Sequence, residues 1–223
     1  MRTVIAGGHG KIALRLERLL VARGDEAVGL IRNPEHAAEL RALGAEPVVC
    51  DLESASVAEV ARALEGADAA VFAAGAGPGS GAARKETMDR AGAVLFADAA
   101  ELAGVRRFLV VSAIHADREP PPGTDPVFVA YLRAKAAADA DISARTGRLA
   151  WTILRPGGLT DEPGTGRVTL AESAERGSIS RDDVAAVLLA LLDTPTTTGL
   201  RLDLVGGPTP IAQAVSEAAQ VAR

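Results

Sequence analysis

"VIAGGHGKIA", residues 4–13, runs an apolar strand-like segment into three glycines in four positions, Gly7, Gly8 and Gly10, and then into the helical pattern "KIALRLERLL". Dispensing with side chains where a strand turns into a helix lets the main chain approach a bulky anion. The new helix aims its unpaired amides and the positive end of its dipole at that anion. Gly7, Gly10 and Ala13 are spaced as G-x-x-G-x-x-A, with Ala13 small enough for the helix to lie close against a sheet. This context after a first strand predicts a cradle for a dinucleotide pyrophosphate, with Ile12 part of its surface. Lys11 and His9 stand in the loop as additional phosphate contacts, with simple solvent exposure the alternative for His9.

Outward from that loop, the short runs "TVIA", "AVGLI", "PVVC", "AAVFAA", "RFLVV" and "AWTIL" alternate with Ala-, Leu- and charge-rich segments of helical length. Strands that read as continuous apolar runs are buried on both faces, which implies a mostly parallel sheet covered by helices. The handedness of parallel crossovers then makes it doubly wound. The expected fold class is therefore α/β, in one domain over residues 1–223. Residues 156–223 read as a small cap on the substrate side. Ser56 with Glu59 reads as a helix-capping box, and Gly24, Gly44, Gly66 and Gly104 as helix stops. "HADREPPPGTDP", residues 115–126, reads as a long loop at the end of the fifth strand.

The 223 residues are 48% hydrophobic but only 3% aromatic, so few rings are available to stack on bases, and the net charge of −5 comes from interspersed residues without a cationic block. No nucleic-acid or membrane partner is expected; a small-molecule substrate is. The lone cysteine, Cys50, reads as a small buried hydrophobe, and the absence of a signal-peptide pattern reads as cytoplasmic. Three scattered histidines make no metal set; His36 reads as a surface residue and His115 as a possible substrate contact.

The end of the second strand selects the dinucleotide, because an acid there binds ribose hydroxyls and a base accepts a 2′-phosphate. The sequence offers Arg32, and no carboxylate until Glu35, so NADP(H) is expected over NAD(H). After the third strand, Asp51 reads as an acceptor for the adenine amino group, with Leu52 covering the ring. Ala73, Ala74 and Gly75 present small residues where a nicotinamide ribose would rest. The single tyrosine, Tyr131, precedes Lys135 by one helical turn, where an ammonium would lower the phenol's pKa and make it a usable general acid. Ser112 would hold the same substrate oxygen. The alternatives are a half-buried helix tyrosine and a solvated lysine. Arg155 reads either as an anchor for an anionic substrate group or as half of a local ion pair.

"AGGHGKIA", "CDL", "VVS", "YLRAK", "TILRPGGLTDEPGTG" and "SISRDDVA", in this order, resemble the atypical short-chain dehydrogenases/reductases, in particular the small NmrA-like group with the flavin and biliverdin IXβ reductases. The resemblance covers nearly the whole chain. It implies a Rossmann fold, a Ser-Tyr-Lys set of Ser112, Tyr131 and Lys135, and contacts from Pro156 and Gly157 on the nicotinamide side. The expected activity is an NADPH-dependent reduction of a small carbonyl or conjugated acceptor. A cofactor sensor without turnover and a nucleotide-sugar epimerase or dehydratase are the alternatives.

Overall fold

The computed structural model describes residues 1–77 and 79–221. Its first half alternates strand and helix: β1 (Arg2–Ala6), α1 (Lys11–Ala22), β2 (Glu26–Ile31), α2 (Ala37–Ala42), β3 (Glu46–Val49), α3 (Val57–Ala63) and β4 (Ala69–Phe72). A continuous helical segment follows, made of α4 (Ala82–Arg84), a π-helix (Lys85–Gly92) and α5 (Ala93–Ala103). Then come β5 (Arg107–Val111), α6 (Pro126–Ser143), β6 (Ala150–Pro156), β7 (Gly158–Thr160), β8 (Arg167–Ala171), β9 (Ser178–Ser180), α7 (Arg181–Leu192), β10 (Arg201–Gly206), β11 (Thr209–Pro210) and α8 (Ile211–Val221).

The main sheet has the order β11-β8-β10-β6-β5-β4-β1-β2-β3, with β1 to β6 and β10 mutually parallel and β8 antiparallel to β10 and β11. Successive strand residues face opposite sides. Ile5 packs with Leu16 and Leu20 of α1 and Leu188 of α7. Val4 and Ala6 pack with Phe72, Phe96 and Ile142 on the other face. The apolar runs of the sequence are thus buried from both sides, as a Rossmann-like sheet requires. Strand order reverses between β1 and β4, and the crevice beyond the carboxyl ends at such a reversal is where α/β sheets bind ligands.

Residues 156–223 contribute to the sheet itself. Three of their strands, β8, β10 and β11, extend the main sheet, while β7 and β9 pair as a separate parallel ribbon. Among the described residues no helix is long and apolar enough to cross a membrane.

Candidate functional site

The glycine loop turns as its sequence demands. Gly7 has φ +79°, and a Cβ there would sit 2.7 Å from the Ala74 Cα, so only glycine lets the end of β1 cross the end of β4. The Gly10 amide bonds back to the Gly7 carbonyl at 2.7 Å. No side chain caps α1, and its first turn carries no acid. Its leading amides therefore remain available to a ligand. The loop's two polar side chains are engaged with protein. Lys11 bonds Asp161 at 2.5 Å, tying the loop to the segment after β7. His9 bonds Glu39 at 2.7 Å and stacks on His36 with centroids 3.5 Å apart, so His36 belongs to the groove wall and not to the open surface.

One participant escaped the sequence reading. Glu17 of α1 is fully buried, neither carboxylate oxygen has a hydrogen-bond partner, and burial raises its pKa to about 8. It is uncharged at neutral pH. It lies under the loop: a Cβ on Gly8 would meet the Gly29 Cα at 2.6 Å and the Glu17 Oε1 at 3.1 Å.

Beyond the loop, at the ends of β2 and β3, a cavity of about 240 Å³ is bounded by Gly7, Arg32, His36, Asp51, Leu52 and Arg84. Arg32 reaches this cavity but lies 3.3 Å from Glu53, which also accepts from Arg84 at 2.9 Å and Thr87 at 2.7 Å. Hydrogen bonds from Arg84 and then Thr87 hold the Glu53 carboxyl below its usual range. Asp51 is shaped by an Asx turn, its Oδ1 accepting the Glu53 amide at 3.1 Å. Ser56 and Glu59 form the expected capping box on α3. Cys50 is half-buried in the wall of this cavity, its thiol pushed up by desolvation and by Glu59 and Asp51.

Ala73, Ala74 and Gly75 join this cavity to a second one of about 490 Å³. There, Ile12, Ser112, Tyr131 and Lys135 converge despite the proline-rich loop between Ser112 and Tyr131. The Ser112 amide bonds the Leu154 carbonyl at 2.7 Å, and its buried Oγ faces Asp139, whose ionised form it favours. The Lys135 ammonium donates to the Val111 carbonyl at 3.1 Å and lies 3.3 Å from Asp89. Asp89, from the π-helix, also accepts the Ala76 amide at 3.2 Å. The Tyr131 ring stacks on Phe128 and is approached by Lys85 and Lys135, whose Nζ atoms lie 5.6 and 5.9 Å from its centroid.

The expected lowering of the Tyr131 pKa is overturned. Burial, reinforced by the Asp89 and Asp139 carboxylates, pushes the phenol well above its ordinary value. The spacing of Tyr131 and Lys135 is as expected, but Asp89 offsets the ammonium that was to stabilise a phenolate.

A third cavity of about 470 Å³ adjoins the second through Ser112, Phe128, Tyr131 and Leu159 and is completed by Pro156, Gly157, Arg176 and Arg181. A Cβ on Gly157 would lie 2.3 Å from the Gly177 carbonyl oxygen, so glycine is needed for the ribbon strand to pass. Arg155 resolves to the local ion pair, bonding Asp139 and Asp117 at 2.8 Å each. His115 turns away from the cavities, adopting φ +57° and bonding the Ala174 carbonyl at 2.8 Å. At the start of α7, Asp183 accepts from the amides of Thr165 at 2.9 Å and Gly166 at 2.8 Å, and from Ser180 Oγ at 3.0 Å.

Residues 7–195 match a family described as NAD(P)H-binding. The Bacillus subtilis protein YhfK, named an uncharacterized sugar epimerase, is 41% identical over 219 residues, covering 97% of this chain and all of its own. A Bacillus halodurans structure named for an NAD-dependent epimerase/dehydratase superposes with TM-score 0.87 at 37% identity, over 97% of this chain and 99% of the other. The Lactococcus lactis oxidoreductase YlbE gives TM-score 0.84 at 27% identity, over 97% and 96%. The matched span runs from the glycine cradle through the Tyr131 helix to the end of α7, and by it this chain belongs to the NAD(P)H-binding family.

Proposed function

We propose that this protein is an NADPH-dependent reductase acting on a small carbonyl or conjugated acceptor. The observation that carries the reading is the convergence of Ser112, Tyr131 and Lys135 on a cavity continuous with the dinucleotide groove. The groove fits such a cofactor: Gly7 and Gly10 leave the cradle free of side chains, the end of α1 is uncapped, and only small residues stand at the junction. Arg32 and Arg84 supply the positive charge suited to a 2′-phosphate, and Asp51 the acceptor for adenine. Pro156 and Gly157 bound the acceptor side.

When bound, the reduced nicotinamide supplies a hydride to the acceptor carbon. Ser112 and Tyr131 hold the acceptor oxygen by hydrogen bonds, and Tyr131 gives it a proton as negative charge builds there. Its raised pKa keeps the phenol protonated until that moment. Lys135, fixed by Asp89 and the Val111 carbonyl, stands beside the phenolate left behind, which recovers a proton from water. Ser112 lines the cavity with a buried hydroxyl, a donor for which a substrate oxygen would compete with Asp139.

The test is NADPH oxidation by the purified protein against quinones, flavins, aldehydes and enones. Tyr131→Phe should lower kcat about 100-fold or more while NADPH affinity stays within about twofold. Turnover unchanged by that substitution removes Tyr131 as proton donor. Saturable NADPH binding without oxidation by any acceptor favours the sensor. The names of the B. subtilis and B. halodurans relatives support a second reading, epimerisation, in which the cofactor is regenerated and a nucleotide sugar is converted without net NADPH loss.

A further inference from the structure

Lys85 is nine-tenths buried, at 9% exposure, and lines the cavity that holds Tyr131. Among the described residues its ammonium makes one hydrogen bond, to the Gly77 carbonyl at 3.0 Å, and no carboxylate lies within 4.0 Å of it. Its other stabilising contact is the Tyr131 ring face, and a buried cation held by neutral groups alone is costly, since such groups are ordinarily paired with an opposite charge. The neighbouring lysine shows the contrast, since Lys135 has Asp89. Asp89 follows Lys85 by four residues and lines the same cavity, yet its carboxylate lies within ion-pair distance of Lys135 and not of Lys85. Of the charged groups that line the cavity, the buried ones are two ammoniums and one carboxylate, so Lys85 is left without a buried counter-ion. Asp125 stands at the cavity's exposed rim with one oxygen taken by the Phe128 amide. The rest of the wall includes Ala73, Ala74, Val111, Phe128 and Leu159.

We infer that Lys85 is the binding residue for a carboxylate on the substrate, so the acceptor is a small unsaturated carbonyl compound that also bears an acid group. A carboxylate supplies the buried counter-ion that Lys85 lacks, and among the described residues no second unpaired cation lines the cavity for a dianion. The apolar wall takes the unsaturated body, Ser112 and Tyr131 take the carbonyl, and Lys85 takes the acid. The inference depends on the reductase reading only in calling the ligand an acceptor.

The test pairs 4-formylbenzoate with its methyl ester, two aldehydes of similar shape and different charge. Calorimetry on the NADP⁺-saturated protein should show the acid binding at least about tenfold tighter than the ester, in line with one charge-assisted contact. Lys85→Met should abolish that difference, Lys85→Gln should do the same, and Lys85→Arg should keep most of it, all with NADP⁺ affinity within about twofold of wild type. With NADPH, the acid-to-ester ratio of kcat/KM should follow the same pattern. Equal binding of acid and ester by wild type, or a preference that survives both Lys85→Met and Lys85→Gln, overturns the inference. So does a loss that falls on NADP⁺ instead. Discrimination in binding without turnover of either aldehyde sustains the Lys85 subsite and discards the reductase reading.

Discussion

Helices α1 and α7 pack on the same face of the sheet and treat charge in opposite ways. At α7, Ser180 caps the first turn, Asp182 and Asp183 follow, and Asp183 draws in two loop amides and a hydroxyl. At α1 there is no cap and no acid in the first turn, and the one buried carboxyl, Glu17, is held neutral without a partner. Both are N-termini of twelve-residue helices in one core. One has satisfied its amides internally, and the other has kept them, and the space below them, free of negative charge. The difference teaches that a ligand site can be recognised by satisfaction that is withheld.

The sharpest way to break the comparison is to remove the titration of Glu17. Its carboxyl titrates near 4.5 when unfolded and near 8 when folded, so between these values the native state holds a proton that the unfolded state has lost. Stability therefore falls as pH rises through this window and is unpenalised below it. Glu17→Gln should match wild type near pH 4 and exceed it by up to about 5 kcal/mol above pH 8. Denaturant titrations across pH check this, and parallel curves for the two proteins would show that Glu17 ionises freely. A smaller effect concerns the charge facing the open end of α1. Arg32→Ala should weaken NADPH about 10- to 30-fold and NADH by less than about threefold, measured by calorimetry. Equal losses for both nucleotides would assign Arg32 to Glu53 alone. The smallest effect belongs to the closed end: Ser180→Ala should cost about 1 kcal/mol of stability and leave nucleotide binding unchanged. A fall in NADPH affinity there would mean that the two termini are not separate in role.

The glycine loop, six of the strands and the α3 capping box were legible in the sequence, because each depends on residues within a turn or two of one another. So was the Tyr131–Lys135 pair as a spacing. Its electrostatics was not, because Asp89 lies 46 residues before Lys135 and enters the cavity from another helix. Arg32 was placed correctly at the end of β2, while its neighbour Glu53 comes from the loop after β3. Nothing within α1 marks Glu17, because Gly8, Gly29 and Leu40, which close over it, come from other segments. Lys85 and Asp89 were invisible because their meaning comes from the packing of Lys85–Gly92 against the distant Tyr131 helix, which buries both side chains in one cavity.

The π-helical winding of Lys85–Gly92 makes the chamber unusually sensitive to insertion and deletion. A π-turn holds more residues than α-helical pitch allows, so losing one residue between Lys85 and Gly92 would let the segment relax to ordinary pitch with the turns on either side kept close to register. The loss would fall on the chamber wall while α5 kept its packing on the sheet. A single codon removed from this stretch would therefore change the lining with the scaffold intact, a route to divergence that point substitutions do not offer.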